Sequence, residues 1–201
     1  MAKIGEQELK QQIKAGLFSN AYLIYGEESY LKEHYVNELK KKIVEPAFED
    51  FNFHSYNGKD TSLNEILKDA EMLPMMSSYN FVLVCDYPID KSASEIDALK
   101  EFLNDVPDTT VLVFWYDSLA FDSKKNAKMK AVDNAFAKAG SSVVLDKRTE
   151  GELVKLLVSG CKKRGAVLSA DNARYLISVS GTDIKTLLNE TEKLSSYVNG
   201  G

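Results

Sequence analysis

The residues between Gly26 and Lys32 stand where a phosphate-binding loop would lie. They follow the apolar run Ala21–Tyr25 and read Gly-Glu-Glu-Ser-Tyr-Leu-Lys. A working loop has the pattern GxxxxGK[ST], in which backbone N–H groups surround the phosphates, the lysine binds their oxygens and the hydroxyl binds magnesium. Here the second glycine and the lysine–hydroxyl pair are missing, and Glu27 and Glu28 would repel phosphate. The sequence therefore predicts neither ATPase activity nor tight ATP binding, although Lys32 is present.

Two aspartates follow apolar runs in the manner of a magnesium-binding acid. Asp86 follows Phe81–Cys85, and Asp117 follows the run 111–115 after one intervening residue. A polar residue after a buried strand is common, so this pattern is weak evidence. The two histidines and two cysteines lack metal-ligand spacing, and no GxSxG motif is present. We expect no catalytic residue, no cofactor and no metal site.

A third stretch, residues 71–78, has the chemistry of a binding loop. Leu73, Pro74, Met75 and Met76 crowd a connection between a helical pattern and the strand Phe81–Cys85. Loops normally lie at the surface and are polar, because water must satisfy their backbone groups. Two interpretations are open: the methionines fill the core beneath a sheet, or they are exposed and bind a hydrophobic pocket on a partner.

Composition restricts the class of protein. The 201 residues are 44% hydrophobic, enough for one larger domain with a second, small one, and the net charge of −5 argues against a stand-alone nucleic-acid binder. No apolar stretch approaches the roughly 20 residues of a membrane span, and the charged N-terminus is not a signal peptide. We expect a cytoplasmic globular protein.

The first 146 residues alternate between helical and strand patterns. The five predicted strands begin near residues 21, 51, 81, 111 and 143, and capping boxes at Ser62 and Ser92 open two of the intervening helices. Strands that are nearly all apolar and are separated by helices predict a parallel five-stranded sheet with helices on both faces.

Beyond Asp146 only helical patterns remain. A capping box at Thr149 precedes three one-sided helices near residues 153–164, 172–179 and 183–198, with Ser169 and Thr182 as predicted N-caps and Leu194 on the apolar stripe of the last helix. An α/β domain over residues 1–146 followed by a three-helix lid over residues 147–201 is the layout of AAA+ P-loop proteins.

With this layout, the chain resembles the delta-subunit family of the bacterial clamp loader, part of the DNA polymerase III holoenzyme. The resemblance covers essentially the whole sequence. It is carried by the runs Tyr22–Leu31, Asp50–Asn52, Leu73–Val84, Gly165–Ala173 and Gly181–Leu194.

The resemblance implies a non-catalytic subunit of a DNA-directed DNA polymerase, a nucleotidyltransferase, in DNA replication. In that family a loop before the third strand inserts two large hydrophobic residues into a pocket on the sliding clamp, the beta subunit. The matching residues here are Pro74, Met75 and Met76, with Leu73 alongside, so the resemblance favours the exposed loop. The implied function is to bind the clamp and open its ring without hydrolysing ATP.

The resemblance also implies further partners: the gamma/tau and delta-prime subunits of the loader, through a C-terminal collar domain, and DNA only within the assembled loader. The lysines between Lys124 and Lys130 are candidates for that DNA contact or form a solvated face. Because the sequence stops at Asn199-Gly200-Gly201, we expect the collar domain to be absent from this chain. The alternatives are a P-loop enzyme with an atypical loop and a structural adaptor of the delta-prime type.

Overall fold

The computed structural model describes residues 2–199, so the predicted chain end at Gly200 and Gly201 lies outside the described residues. The chain divides into two units, the first ending at Asp146 and the second beginning at Lys147. In the described part of the chain, no helix is both long enough and apolar enough to cross a membrane.

One parallel sheet forms the centre of the first unit. Its strands, in chain order, are β1 (Ala2–Ile4), β2 (Ala21–Tyr25), β3 (Phe53–Asn57), β4 (Asn80–Cys85), β5 (Thr110–Trp115) and β6 (Ser141–Val144). Their order across the sheet is β1-β6-β2-β5-β4-β3, and every neighbouring pair is parallel. All five residues of β2 are buried, as expected for a strand covered on both faces.

The predicted α/β class is confirmed, but the predicted count of five strands is wrong. The sixth strand, β1, is only three residues long and carries a lysine in its middle, which conceals it in the sequence. Its register pairs Ala2 with Ser141 and Ile4 with Val143. The Lys3 ammonium lies 2.6 Å from the fully buried carboxylate of Asp133, and this ion pair accounts for a charged residue in the strand.

Helices cover both faces of the sheet. They are α1 (Glu6–Ala15), α2 (Ser29–Ile43), α3 (Glu49–Asn52), α4 (Leu63–Ala70), α5 (Ala93–Asn104) and α6 (Ala127–Ala139). On one face, Leu23 of β2 belongs to a core formed with α4, α5 and α6. On the other, the Tyr22 hydroxyl donates to Gln12 of α1 at 3.2 Å. At the predicted capping boxes of Ser62 and Ser92, each serine side chain accepts the N–H group three residues later, so the N-caps are confirmed. Of the three predicted boxes, the described residues show the reciprocal glutamate bond only at Thr149.

One predicted boundary is wrong. The strand expected from residue 51 begins at Phe53, because Phe51 and Asn52 belong to the short helix α3. The Asn52 side chain donates to the carbonyl of Phe48, four residues earlier, at 3.1 Å and so helps to hold this helical turn.

The second unit consists, within residues 147–199, of the helices α7 (Glu150–Lys163), α8 (Ala170–Ser180) and α9 (Ile184–Asn199). Thr149 and Glu152 form the predicted reciprocal capping box, and Ser169 caps α8. The predicted cap at Thr182 is wrong, because the Asp183 carboxylate accepts the N–H of Thr186 at 2.7 Å.

The predicted apolar stripe of α9 is also wrong at one position. Leu194 is exposed, while Thr191 and Ser195 are buried. The hydroxyls of these two residues donate to backbone carbonyls of the preceding turn, which satisfies them without water.

Candidate functional site

The loop between α4 and β4 is exposed and apolar. Leu73 is 77% exposed, Met75 55% and Met76 79%, whereas Pro74 is half-buried. The interpretation that these methionines fill the core is therefore wrong. None of these four residues carries a titratable or nucleophilic group, and their apolar side chains are suited to bind a hydrophobic surface.

The side chains of two asparagines bond to the backbone of this loop and of the residues just before it. The side chain of Asn80 donates to the carbonyls of Asp69 and Met72, at 2.6 and 3.2 Å. The side chain of Asn52 bonds both backbone groups of Met75. Met76 has a φ of 55°, a left-handed conformation that side chains other than glycine seldom adopt. An exposed loop with such a residue needs contacts of this kind to stay ordered.

Other exposed apolar side chains lie at the same edge of the sheet. Leu17 and Phe51 precede β2 and β3, as the loop precedes β4, and the amino ends of parallel strands meet at one edge. The ring of Phe18, next to Leu17, makes an edge-on contact with Tyr79 at 6.0 Å. Within the described part of the first unit, the large apolar side chains that are exposed all lie in segments leading into these strands: Leu17, Phe51, Met72, Leu73, Met75 and Met76.

The segment that resembles a phosphate loop lies at the opposite edge. Gly26 has a φ of 126°, and a Cβ there would lie 2.3 Å from the carbonyl oxygen of Leu145. The same carbonyl accepts the N–H of Glu28 at 2.9 Å. A backbone N–H that would face phosphate in a working loop is therefore bonded within the protein.

Lys32 is bonded within the protein as well. It follows Gly26 by six residues, the spacing of the lysine in GxxxxGK, and it is buried. Its ammonium donates to the carbonyls of Gly26 at 2.9 Å and Tyr116 at 2.6 Å. Burial lowers the pKa of Lys32, because water is removed from the ammonium. The sequence did not reveal the hydrogen bond between Lys32 and Tyr116, because the two residues are 84 positions apart in the chain.

A cavity of about 530 Å³ adjoins this segment. Its charged lining is mixed in sign: Glu27, Lys32, Asp117, Asp122, Lys124, Lys125 and Asp146. A triphosphate requires an excess of positive charge and free N–H groups, and this lining supplies acidic groups in comparable number.

The two aspartates considered for magnesium have different surroundings. The Asp86 carboxylate accepts the N–H groups of Asp117, Ser118 and Leu119 at 2.8–3.1 Å and the hydroxyl of Ser118, and the Lys59 ammonium lies 3.7 Å away. Burial by itself would raise the pKa of Asp86, but these hydrogen bonds hold that pKa below its usual value. Both oxygens are occupied within the protein. Asp117 lines the cavity, and the described residues contain no group of three or more acidic, histidine or cysteine side chains placed to hold a metal.

Comparison with known proteins gives the family. The family described as DNA polymerase III, delta subunit, matches residues 22–139, more than half of the chain. The chain belongs to this family. It is 20% identical over 195 residues to the DNA polymerase III subunit delta of Bacillus subtilis (strain 168), a match that covers 94% of this chain and 55% of the relative.

Solved structures give the same fold. The Bacillus subtilis DNA clamp loader delta protein matches 96% of this chain and 57% of its own, with a TM-score of 0.73 at 20% identity. The RuvB Holliday junction branch migration motor of Thermotoga maritima matches 94% of this chain and 61% of its own, with a TM-score of 0.52 at 11% identity. The sheet with its helices is thus the AAA+-like fold, and the chain spans about half the length of the delta relatives it matches.

The family match includes both sites described above. The segment from Gly26 to Lys32 and the loop from Leu73 to Met76 lie within residues 22–139 of this delta-family chain. The second unit lies beyond that range, and its likeness to the delta relatives rests on the sequence match over 195 residues and on the structural match.

Proposed function

We propose that this delta-family chain acts in a clamp loader, binds the sliding clamp through Leu73, Pro74, Met75 and Met76, and holds the ring open. The observation that carries the proposal is the exposed apolar loop itself, held by buried asparagines. Large apolar side chains that are exposed together mark interaction surfaces in most proteins. Two methionines can fill a preformed hydrophobic pocket, because their unbranched side chains adapt to its shape.

Opening of the ring needs no chemistry in this chain. If the loop binds an open or relaxed clamp better than the closed one, binding shifts the clamp population toward the open form by that difference in affinity. The energy of ATP would enter through partner subunits with intact phosphate loops, the gamma/tau subunits, with delta-prime completing the loader. DNA would be contacted only within that assembly.

We also propose that the chain does not hydrolyse ATP. Lys32 and the Glu28 N–H are occupied by backbone carbonyls, and Glu27 lines the adjoining cavity. Isothermal titration with Mg-ATP should give no saturable heat. A micromolar dissociation constant would contradict this proposal and favour the P-loop enzyme.

A structural adaptor of the delta-prime type is the second alternative. Such a subunit would bind other loader subunits and would not need exposed apolar residues in the loop before β4. The exposure of Leu73, Met75 and Met76 therefore favours the clamp-binding subunit.

Titration against the sliding clamp of the same organism tests the proposal. With the clamp immobilised for surface plasmon resonance, the 201-residue chain should bind saturably, and excess free clamp should compete. Absence of saturable binding would refute the proposed function, and saturable binding only to gamma/tau or delta-prime would favour the adaptor.

A further inference from the structure

Asn52 is joined to the exposed loop by a reciprocal pair of hydrogen bonds. Its side-chain NH2 donates to the carbonyl of Met75 at 2.8 Å, and the N–H of Met75 donates to its side-chain oxygen at 2.6 Å. Two residues exchange both N–H···O bonds in this way in an antiparallel sheet. Met75 belongs to no strand, and the Asn52 side-chain amide makes the pair of hydrogen bonds to it that a residue of a neighbouring strand would make.

The orientation of this amide is fixed by its partners. The same NH2 group donates to the carbonyl of Phe48 at 3.1 Å. Turning the amide over would place its oxygen against two carbonyl oxygens and its NH2 against the Met75 N–H, and would lose every one of these bonds. Asn52 is 1% exposed, so water is not available to replace them.

These bonds act in a segment whose side chains pack little against the rest of the protein. Met75 and Met76 are largely exposed, so their side chains contribute little to holding the backbone. The left-handed conformation of Met76 directly follows the residue that Asn52 holds. A residue in that conformation persists when its surroundings fix it. The Asn52 bonds are the nearest such restraint to Met76 on its N-terminal side.

We infer that Asn52 is a positioning residue, which holds Met75 and Met76 in the conformation that the clamp binds. This inference rests on the proposed function. A loop already ordered in the free protein loses less conformational entropy on binding than a mobile one. Without the Asn52 side chain, only a fraction of the molecules would have the loop in the conformation that binds the clamp. The apparent dissociation constant for the clamp would then rise by the inverse of that fraction.

The test compares Asn52→Ala with a matched control, Asn126→Ala. The Asn126 side chain caps α6 by accepting the N–H groups of Lys128 and Met129, away from the loop. The control therefore removes the capping hydrogen bonds of a half-buried asparagine and lowers stability while leaving the loop contacts intact. Neither variant alters an exposed apolar side chain of the loop.

Two readouts separate loop order from general stability. Amide hydrogen exchange at Met75, followed by NMR, should be slow in the wild type and roughly tenfold or more faster in Asn52→Ala, with no such change in the control. Clamp affinity should weaken by roughly tenfold in Asn52→Ala if the competent fraction falls to about one tenth, and should stay within twofold of wild type in the control. If Asn52→Ala does not fold, Asn52→Ser serves instead, because it is also too short to bond both backbone groups of Met75 but leaves a hydroxyl to satisfy part of the buried site and brings in no charge.

The outcomes are distinguishable. Two results would overturn the inference and leave the proposed function in place. One is rapid exchange of the Met75 amide in the wild type, and the other is an unchanged clamp affinity of Asn52→Ala when the wild type binds. A wild-type chain that does not bind the clamp overturns the proposed function and, with it, the role of Asn52 in binding. Slow wild-type exchange, faster exchange in Asn52→Ala and weaker binding by that variant alone support the inference.

Discussion

Replacing both loop methionines with serine should weaken clamp binding and leave stability almost unchanged. Met75 and Met76 are 55% and 79% exposed, and full burial of a methionine contributes about 1.5–3 kcal/mol, so burying these fractions contributes about 2–4 kcal/mol together. Ordering the two flexible side chains offsets roughly 1–2 kcal/mol of that gain. Subtracting the smaller offset from the smaller gain and the larger offset from the larger gain leaves about 1–2 kcal/mol, which corresponds to a roughly fivefold to thirtyfold increase in the dissociation constant.

The assay is a clamp titration by surface plasmon resonance together with thermal unfolding of the same double variant. Val179→Ser is the matched control, because it removes an exposed apolar side chain from α8 in the other unit. Substitutions at exposed sites change stability by about 0.5 kcal/mol or less, whereas two core methionines would cost several kcal/mol. A variant with wild-type clamp affinity and a sharply lowered Tm would refute the reasoning.

Three further predictions concern stability and domain structure. Asp86→Asn should lower the free energy of unfolding by about 1–3 kcal/mol at neutral pH. Because the pKa of Asp86 is lower in the folded state, the ionised carboxylate should stabilise the fold fully above its unfolded-state pKa, near 3.8. This stabilisation should be lost as the pH falls through the lower folded-state pKa. Urea unfolding between pH 6 and 2.5 should therefore show a smaller fall in the free energy of unfolding for the variant than for the wild type. Thr149→Ala removes the N-cap of α7 and should destabilise this helix by about 0.5–2 kcal/mol. A thermal melt of the whole chain, followed by far-UV CD, that is unchanged in the variant would contradict this. Limited trypsin digestion should cut first at Lys147 or Arg148, and a first cut within α7, identified by mass spectrometry, would contradict the predicted boundary.

Much of the fold could be predicted because short stretches of sequence indicate the buried strands and the starts of the helices. Continuous apolar runs gave β2, β4 and β5, and serine caps fixed the starts of α4 and α5. The errors fall where tertiary contacts override local preference. The lysine in the middle of the three-residue strand β1 pairs with Asp133, 130 positions later in the chain, and no local pattern reveals that contact. Likewise, Ser195 of α9 is buried against Cys161 of α7, and it tolerates burial because its hydroxyl also bonds to the helix backbone.

The apolar side chains of the candidate site could be predicted from the sequence, but the hydrogen bonds that hold its backbone could not. The four apolar residues from Leu73 to Met76 are visible in the sequence, although their exposure is not, since the same residues could have filled a core. Asn52 stood in a motif that carried the family resemblance, yet its role depends on Met75, 23 residues away. No periodic pattern marks a pairing between one side chain and the backbone of a distant loop.

The segment from Gly26 to Lys32 and the exposed loop lie at opposite edges of one sheet, so different contacts hold each of them. Loops that enter parallel strands meet at the amino edge, and loops that leave them meet at the carboxyl edge. The bonds of Lys32 to Gly26 and Tyr116 lie at the carboxyl edge and hold the ends of β2 and β5 together. A lysine that would otherwise contact phosphate thereby stabilises the sheet without a ligand. The amino edge, where Asn52 and Asn80 hold the exposed loop, depends on the strands being in register and not on what fills the opposite edge.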